Sequence, residues 1–193
     1  MAKLYYYYGA MGSSKSATLL MAAHTYERQG KKVMLFTSSV DDRFGTGVIA
    51  SRVGIDKGAE IIGHNDNVVE LVGDTTGISC IFIDECQFLT REQVMQLSDI
   101  VDNDNVPVIC YGLKTDFKGE LFEGSAALFE LADSFNEIKT TCSMCESKAT
   151  MNLRTNNGKP VKTGNVIQIG DDEYFPMCRK HYKKSFLQKG LTK

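Results

Sequence analysis

With 193 residues, 22 basic and 24 acidic side chains and a formal net charge of -2, the chain has room for one ordinary domain, or for a core of about 140 residues with a small appendage. The interspersed charges exclude a large basic field of the kind that holds nucleic acid or anionic membrane constitutively, and small molecules are the expected partners. No apolar run approaches the ~20 residues of a membrane span, and the N-terminus lacks the basic and apolar regions of a secretory signal. The expectation is a cytoplasmic protein with no membrane partner.

In chain order, Leu4-Tyr5-Tyr6-Tyr7-Tyr8 reads as a strand that empties into Gly9-Ala10-Met11-Gly12-Ser13-Ser14-Lys15-Ser16. Strand, loop and helix start in this order make a phosphate loop: backbone N–H groups curl around a phosphate chain, the lysine reaches the terminal phosphates and Ser16 faces magnesium. The motif GxxxxGK[ST] is met except at Ser14, where glycine is usual. Ser16 to Gln29 carries Leu19, Leu20, Ala23 and Tyr26 at helical spacing, with Gly30 as the stop, and Lys32 to Thr37 reads as a buried strand. Strand, helix and strand with short connections predict a parallel sheet joined by right-handed crossovers.

Asp41 to Gly54 is dotted with glycine and carries Arg43 and Arg52, which predicts a loop leading into a short strand. Ile78 to Ile83 is a second buried strand and delivers Asp84-Glu85 to the carboxyl edge of the sheet, where ligands bind in open α/β folds. An isolated acidic pair commonly just caps a helix. This pair follows a phosphate loop by about 70 residues within one predicted sheet, so Asp84 reads as the holder of the magnesium shell and Glu85 as a general base or orienter of the nucleophile. Thr90 and Gln93 form a capping box for a helix through about Val101, and Pro107 to Tyr111 supplies a further strand.

Near residue 140 the character changes to short strands, an Asn156-Asn157-Gly158 turn and a lysine-rich terminal helix, which predicts a nucleotide-binding domain over 1–140 and a small second domain over 141–193. Cys80, Cys86 and Cys110 sit alone in apolar contexts and read as buried thiols, whereas Cys142, Cys145, Cys178 and His181 form CxxC and CxxH pairs. Two thiolates from one turn and a Cys/His pair from another suit tetrahedral structural zinc; a disulfide or redox CxxC is the weaker alternative. His24 and His64 stand beside no nucleophile or metal pattern and receive no role.

These motifs, together with Asp84-Glu85-Cys86-Gln87-Phe88, Tyr111-Gly112-Leu113-Lys114-Thr115-Asp116-Phe117 and Cys178-Arg179-Lys180-His181-Tyr182, resemble the zinc-containing (type II) thymidine kinases almost end to end. The resemblance implies a P-loop, RecA-like parallel sheet with helices on both faces, plus a zinc-binding hairpin and lasso domain. It implies transfer of the γ-phosphoryl of ATP to the 5′-hydroxyl of thymidine, with Glu85 as base. Gly9 through Ser16, Asp84, Glu85, Gln87, Arg43 and Arg52 would bind ATP and magnesium. Met11, Phe88, Leu113, Phe117 and Phe122 would wall the thymine pocket, under a lasso containing Val166, Ile167, Gln168, Ile169, Gly170 and Tyr174. A homotetramer and feedback inhibition by thymidine triphosphate are likewise implied.

Three positions depart from that pattern. Ser14 replaces glycine and crowds the phosphate loop, Gly170 stands where Gly-Gly is frequent, and Lys114 replaces an arginine and with it a planar five-donor fork. The competing readings are a nucleic-acid-stimulated P-loop ATPase with a zinc ribbon, which would need a basic or aromatic strand-binding stripe, and a non-catalytic nucleotide-binding relative, against which Lys15, Asp84 and Glu85 argue.

Overall fold

The computed structural model describes residues 1–40, 45–166 and 173–187. The elements run β1 (Leu4–Gly9), α1 (Lys15–Arg28), β2 (Lys32–Ser38), β3 (Val48–Ala50), β4 (Asp56–Gly58), β5 (Glu60–Ile62), α2 (Val68–Val72) and β6 (Ile78–Ile83). After a 3-10 turn at Cys86–Phe88 come α3 (Arg91–Asp104), β7 (Val108–Leu113), α4 (Glu123–Leu131) and β8 (Ser134–Glu137), then β9 (Met151–Asn156), β10 (Lys159–Pro160), β11 (Glu173–Met177) and α5 (Arg179–Ser185).

Six strands pair in the order β5-β2-β6-β7-β1-β8, and every pairing is parallel. Such a sheet must be covered on both faces, which is why its central strands are near-continuous apolar runs. Alternate residues feed two cores. Tyr6, Phe36, Ile81, Ile83, Val108 and Cys110 pack with α2, α3 and α4, while Leu35, Cys80, Phe82 and Tyr111 pack with Leu19, Leu20 and Ala23 of α1 and with Ile49 of β3.

The handedness of crossovers assigns these faces. From β1 the chain passes across β7 and β6 to reach β2, then moves one strand further to β5; these connections carry α1 and the β3–β4 hairpin on one face. From β5 to β6, β6 to β7 and β7 to β8 the chain travels the opposite way, so α2, α3 and α4 lie on the other face. The predicted doubly covered α/β sheet is therefore what forms.

The Thr90–Gln93 capping box is present in both directions, at 3.2 and 3.0 Å. Its helix runs to Asp104, past the predicted end near Val101, and stops at Asn105 in the left-handed conformation (φ 55°). α4 and β8 have no counterpart among the predicted elements. Phe122 offers α4 no side-chain cap, Gly124 and Ser125 weaken its propensity, and β8 is only four residues long.

Residues 151–160 and 173–177 make a separate antiparallel sheet, β10-β9-β11, with the predicted turn joining β9 to β10. Its small core consists of Cys142, Leu153, Met177, Cys178 and Tyr182. Among the described residues no helix is long and apolar enough to cross a membrane.

α4 sits directly on the 3-10 turn that follows the acidic pair. A Cβ on Gly124 would lie 2.4 Å from the Cys86 carbonyl oxygen and 2.8 Å from that of Leu89. Backbone cannot yield as a side-chain tip would, so Gly124→Ala should destabilise the protein by about 1–3 kcal/mol, read from urea unfolding. Wild-type stability in that variant would show that α4 has room to move off the turn.

Candidate functional site

β1 ends at Gly9, which lies under the phosphate loop with no space for a side chain: a Cβ there would stand 2.4 Å from both the Ile138 carbonyl oxygen and Ser13 Oγ. The loop then turns through two left-handed residues, Gly12 (φ 72°) and Ser14 (φ 61°). Ser14 is the N-cap of α1 but makes no capping hydrogen bond, so its side chain gives nothing back for a backbone conformation that glycine adopts freely. The first turn of α1 carries no acidic residue, which leaves its positive end facing the loop. Lys15 is nearly buried and its Nζ donates across the loop to the Ala10 carbonyl at 3.0 Å and to Ser13 Oγ at 3.4 Å.

β6 brings Asp84 to the same edge, its N–H held by the Phe36 carbonyl of β2 at 2.8 Å. The Ser16 hydroxyl at the helix start lies close enough to the Asp84 carboxyl at the strand end to favour its ionised form. Burial, helped by the neighbouring Glu85 charge, raises Asp84 to about 7; the Ser16 hydroxyl and the Lys15 charge pull the other way without prevailing. Glu85 adopts a left-handed backbone (φ 52°), an uncommon state for a non-glycine residue, and leads the chain into the 3-10 turn.

Gln87 connects this turn to the next strand. Its Nε2 donates to Glu85 Oε2, and its Oε1 accepts from the Leu113 N–H at the end of β7, 2.9 Å away. The Leu113 carbonyl in turn accepts from Tyr6 Oη (2.8 Å) and Ser125 Oγ (2.6 Å). Phe88 and Phe122 meet edge to face at 5.7 Å. Met11, Phe88, Leu113 and Phe122 are half-buried, as a wall lining a cleft would be. Phe117 is fully buried, with the Arg154 guanidinium 4.6 Å over its ring and its carbonyl accepting from Tyr182 Oη at 2.6 Å. The structure thus brings together the loop, Asp84, Glu85, Gln87 and Leu113.

Tyr174 is half-buried on β11 and pairs with Arg154 of β9. Val166 is exposed, and Arg52 stands exposed in the turn between β3 and β4. Arg43, Ile167, Gln168, Ile169 and Gly170 lie outside the described residues.

Two residues at this edge escaped the sequence reading. Asn152 Oδ1 accepts from the Met11 N–H of the phosphate loop at 2.8 Å, and its Nδ2 donates to the Thr115 carbonyl at 3.0 Å. Arg154, two residues on, covers Phe117 and donates to the Asn165 carbonyl at 2.7 Å. Their only signal in the sequence is a polar residue at alternate positions of a short strand, Met151-Asn152-Leu153-Arg154, a pattern shared with any solvent-facing strand.

Cys142, Cys145, Cys178 and His181 place their ligand atoms within 4.8 Å of one another. Cys178 Sγ and Cys142 Sγ lie 3.4 and 3.6 Å from His181 Nδ1, and Cys145 Sγ lies 3.9 Å from Cys178 Sγ. A tetrahedral ion with bonds of about 2.0–2.3 Å needs ligand separations of roughly 3.4–3.8 Å, so the donor set and its spacing fit one such ion with no vacant ligand position.

A sequence model of the family described as Thymidine kinase matches residues 2–182. The chain is similar to a thymidine kinase of Photobacterium profundum, 45% identical over 96% of this chain and 98% of the relative. Others are those of Lactobacillus acidophilus, 47% identical over 94% and 96%, and of Lactococcus lactis, 50% identical over 95% and 98%. Among solved structures, the Pif1 helicase from Candida albicans aligns at 15% identity with a TM-score of 0.40, over 71% of this chain and 36% of its own, too loose a likeness to bear on function.

The raised Asp84 sets a pH dependence. An unfolded aspartate loses its proton near pH 4, whereas Asp84 in the fold keeps its proton up to about 7. Across that window the folded state binds the extra proton, so its stability falls as pH rises. Asp84→Asn should therefore raise the Tm of the ligand-free protein by about 5 °C at pH 8 and leave it unchanged at pH 4, measured by calorimetry. A Tm difference independent of pH would show that the carboxylate ionises in the fold without cost.

Proposed function

The chain belongs to the thymidine kinase family, an ATP-dependent nucleoside kinase of α/β fold, and on that premise we propose how its residues carry out phosphoryl transfer. The observation that carries the reading is the meeting, at one sheet edge, of the phosphate loop with its Lys15, Ser16 beside the Asp84 carboxyl, and Glu85 held by Gln87.

The γ-phosphate of ATP sits against the loop and the N-terminus of α1, and the Lys15 ammonium exchanges its contacts with Ala10 and Ser13 for phosphate oxygens. Asp84 and Ser16 would hold magnesium, which when bound neutralises charge on the transferred phosphoryl. With a dication held there, the Asp84 carboxyl would be favoured in its ionised form, which burial otherwise disfavours. Glu85 accepts the proton of the thymidine 5′-hydroxyl as that oxygen bonds to phosphorus and the bond from phosphorus to the ADP oxygen breaks. Gln87 orients Glu85 from one side while fixing the end of β7 on the other. Arg43 and Arg52 are assigned to the phosphates, and residues 166–174 to a lasso over the base.

Residues 1–140 form the nucleotide-binding domain and 141–193 a second domain held by zinc on Cys142, Cys145, Cys178 and His181. A cytoplasmic homotetramer inhibited by thymidine triphosphate is part of the same reading. Its support is the family, since a triphosphate of the product series would span both subsites.

Glu85→Gln should lower kcat by about 10²–10⁴-fold and leave both KM values within a few-fold, because the amide keeps the shape and cannot take the proton. A raised KM at undiminished kcat would remove Glu85 from the base role. Elemental analysis should find one zinc per chain, and Cys145→Ser should abolish it and destabilise the C-terminal unit, whose core is too small to hold alone. Full stability without bound metal would make the four ligands incidental.

A further inference from the structure

Asn152 is buried, at 3% exposure, and spends its amide on two backbone groups from distant parts of the chain. Its orientation is dictated by the partners, since Met11 presents an N–H and Thr115 a carbonyl. An apolar residue would have held β9 against this surface at lower desolvation cost, so the buried amide marks a requirement for direction rather than for adhesion. The bond to Met11 fixes a peptide plane inside the phosphate loop, next to left-handed Gly12.

On the same face of β9, Arg154 lies over Phe117 just as Asn152 lies against Thr115. The two residues form consecutive rungs between β9 and the segment that continues β7. One rung reaches the loop, and the other backs the wall formed by Leu113 and Phe117. A shift of β9 at either rung is transmitted to the other, because the strand is paired on both sides, to β10 and β11.

We propose that Asn152 is a positioning residue that ties the phosphate loop to the Thr115–Phe117 wall, so that triphosphate bound in the loop and nucleoside bound against the wall strengthen each other's binding. This rests on the reading of residues 9–16 as the ATP loop and of the wall as the nucleoside's. The coupling is reciprocal and is measured as a ratio of affinities.

The test is calorimetric titration of a non-hydrolysable ATP analogue with magnesium, with and without saturating thymidine, on the full zinc-loaded chain. In the wild type, thymidine should tighten the analogue by about 5-fold or more. Asn152→Leu keeps the branching and bulk of the amide without its hydrogen bonds; it should weaken the analogue about 10-fold and reduce the thymidine effect to a factor of about 1. Asn152→Asp keeps an acceptor for Met11 but sets an oxygen against the Thr115 carbonyl, so it should retain more analogue affinity and still lose the thymidine effect. A purely structural role would lower Tm and leave the ratio unchanged.

Asn152→Leu that folds with its zinc and shows the wild-type ratio overturns the proposal, as does a wild-type ratio of one. Should that variant not fold, the ratio in Asn152→Asp decides in the same way. A wild-type chain that does not bind the analogue at all would instead remove the phosphate-loop reading on which the proposal stands.

Discussion

Parallel pairing of all six strands sends every strand's carboxyl end to one edge of the sheet, and the geometry of the site descends from that constraint. β1 releases the phosphate loop there, β6 the acidic pair, and β7 the segment that reaches Phe117. The crossovers after β1 and after β6 lie on opposite faces, so the chain parts at this edge and leaves the ends of these strands uncovered by their own connections. Three pieces of chain separated by tens of residues thereby become neighbours without any of them specifying the others.

What fills that edge is costly to the fold. Asp84 is buried deeply enough to hold a proton up to about pH 7, Lys15 bends back onto its own loop, and Ser14 and Glu85 both occupy left-handed backbone. Burial of a carboxyl and left-handed backbone at two non-glycine residues each cost free energy at this one edge. The neighbouring groups show no such strain: Gln87 satisfies Glu85 and Leu113 together, and Tyr6 and Ser125 both serve the Leu113 carbonyl. A relaxed polar surround holds a strained centre in place.

The C-terminal unit contributes to this edge although its own core contains only a handful of residues, two of them cysteines of the Cys/His cluster. Several of its contacts with the rest of the chain are directional: Asn152 hydrogen-bonds Met11 and Thr115, Tyr182 hydrogen-bonds the Phe117 carbonyl, and the Arg154 guanidinium stacks over the Phe117 ring. Such bonds fix orientation more sharply than apolar packing, which tolerates sliding.

Local chemistry wrote much of this plainly in the sequence. The apolar runs of β1, β2, β6 and β7, the Thr90–Gln93 capping box and the paired cysteine motifs depend on neighbours within a few residues, and each stands where its pattern places it. The acidic pair could be matched to the phosphate loop because parallel topology leaves few alternatives. α4 and β8 were not legible, since a poorly capped helix with glycine and serine in its first turn and a four-residue edge strand exist only because the sheet is there to receive them. Asn152 and Arg154 were hidden for a related reason: alternate polar residues on a short strand ordinarily face water. Only the docking of β9 against the loop and the β7 extension decides that this polar face is buried, because burial is set by what packs across from a residue and not by its neighbours in the chain.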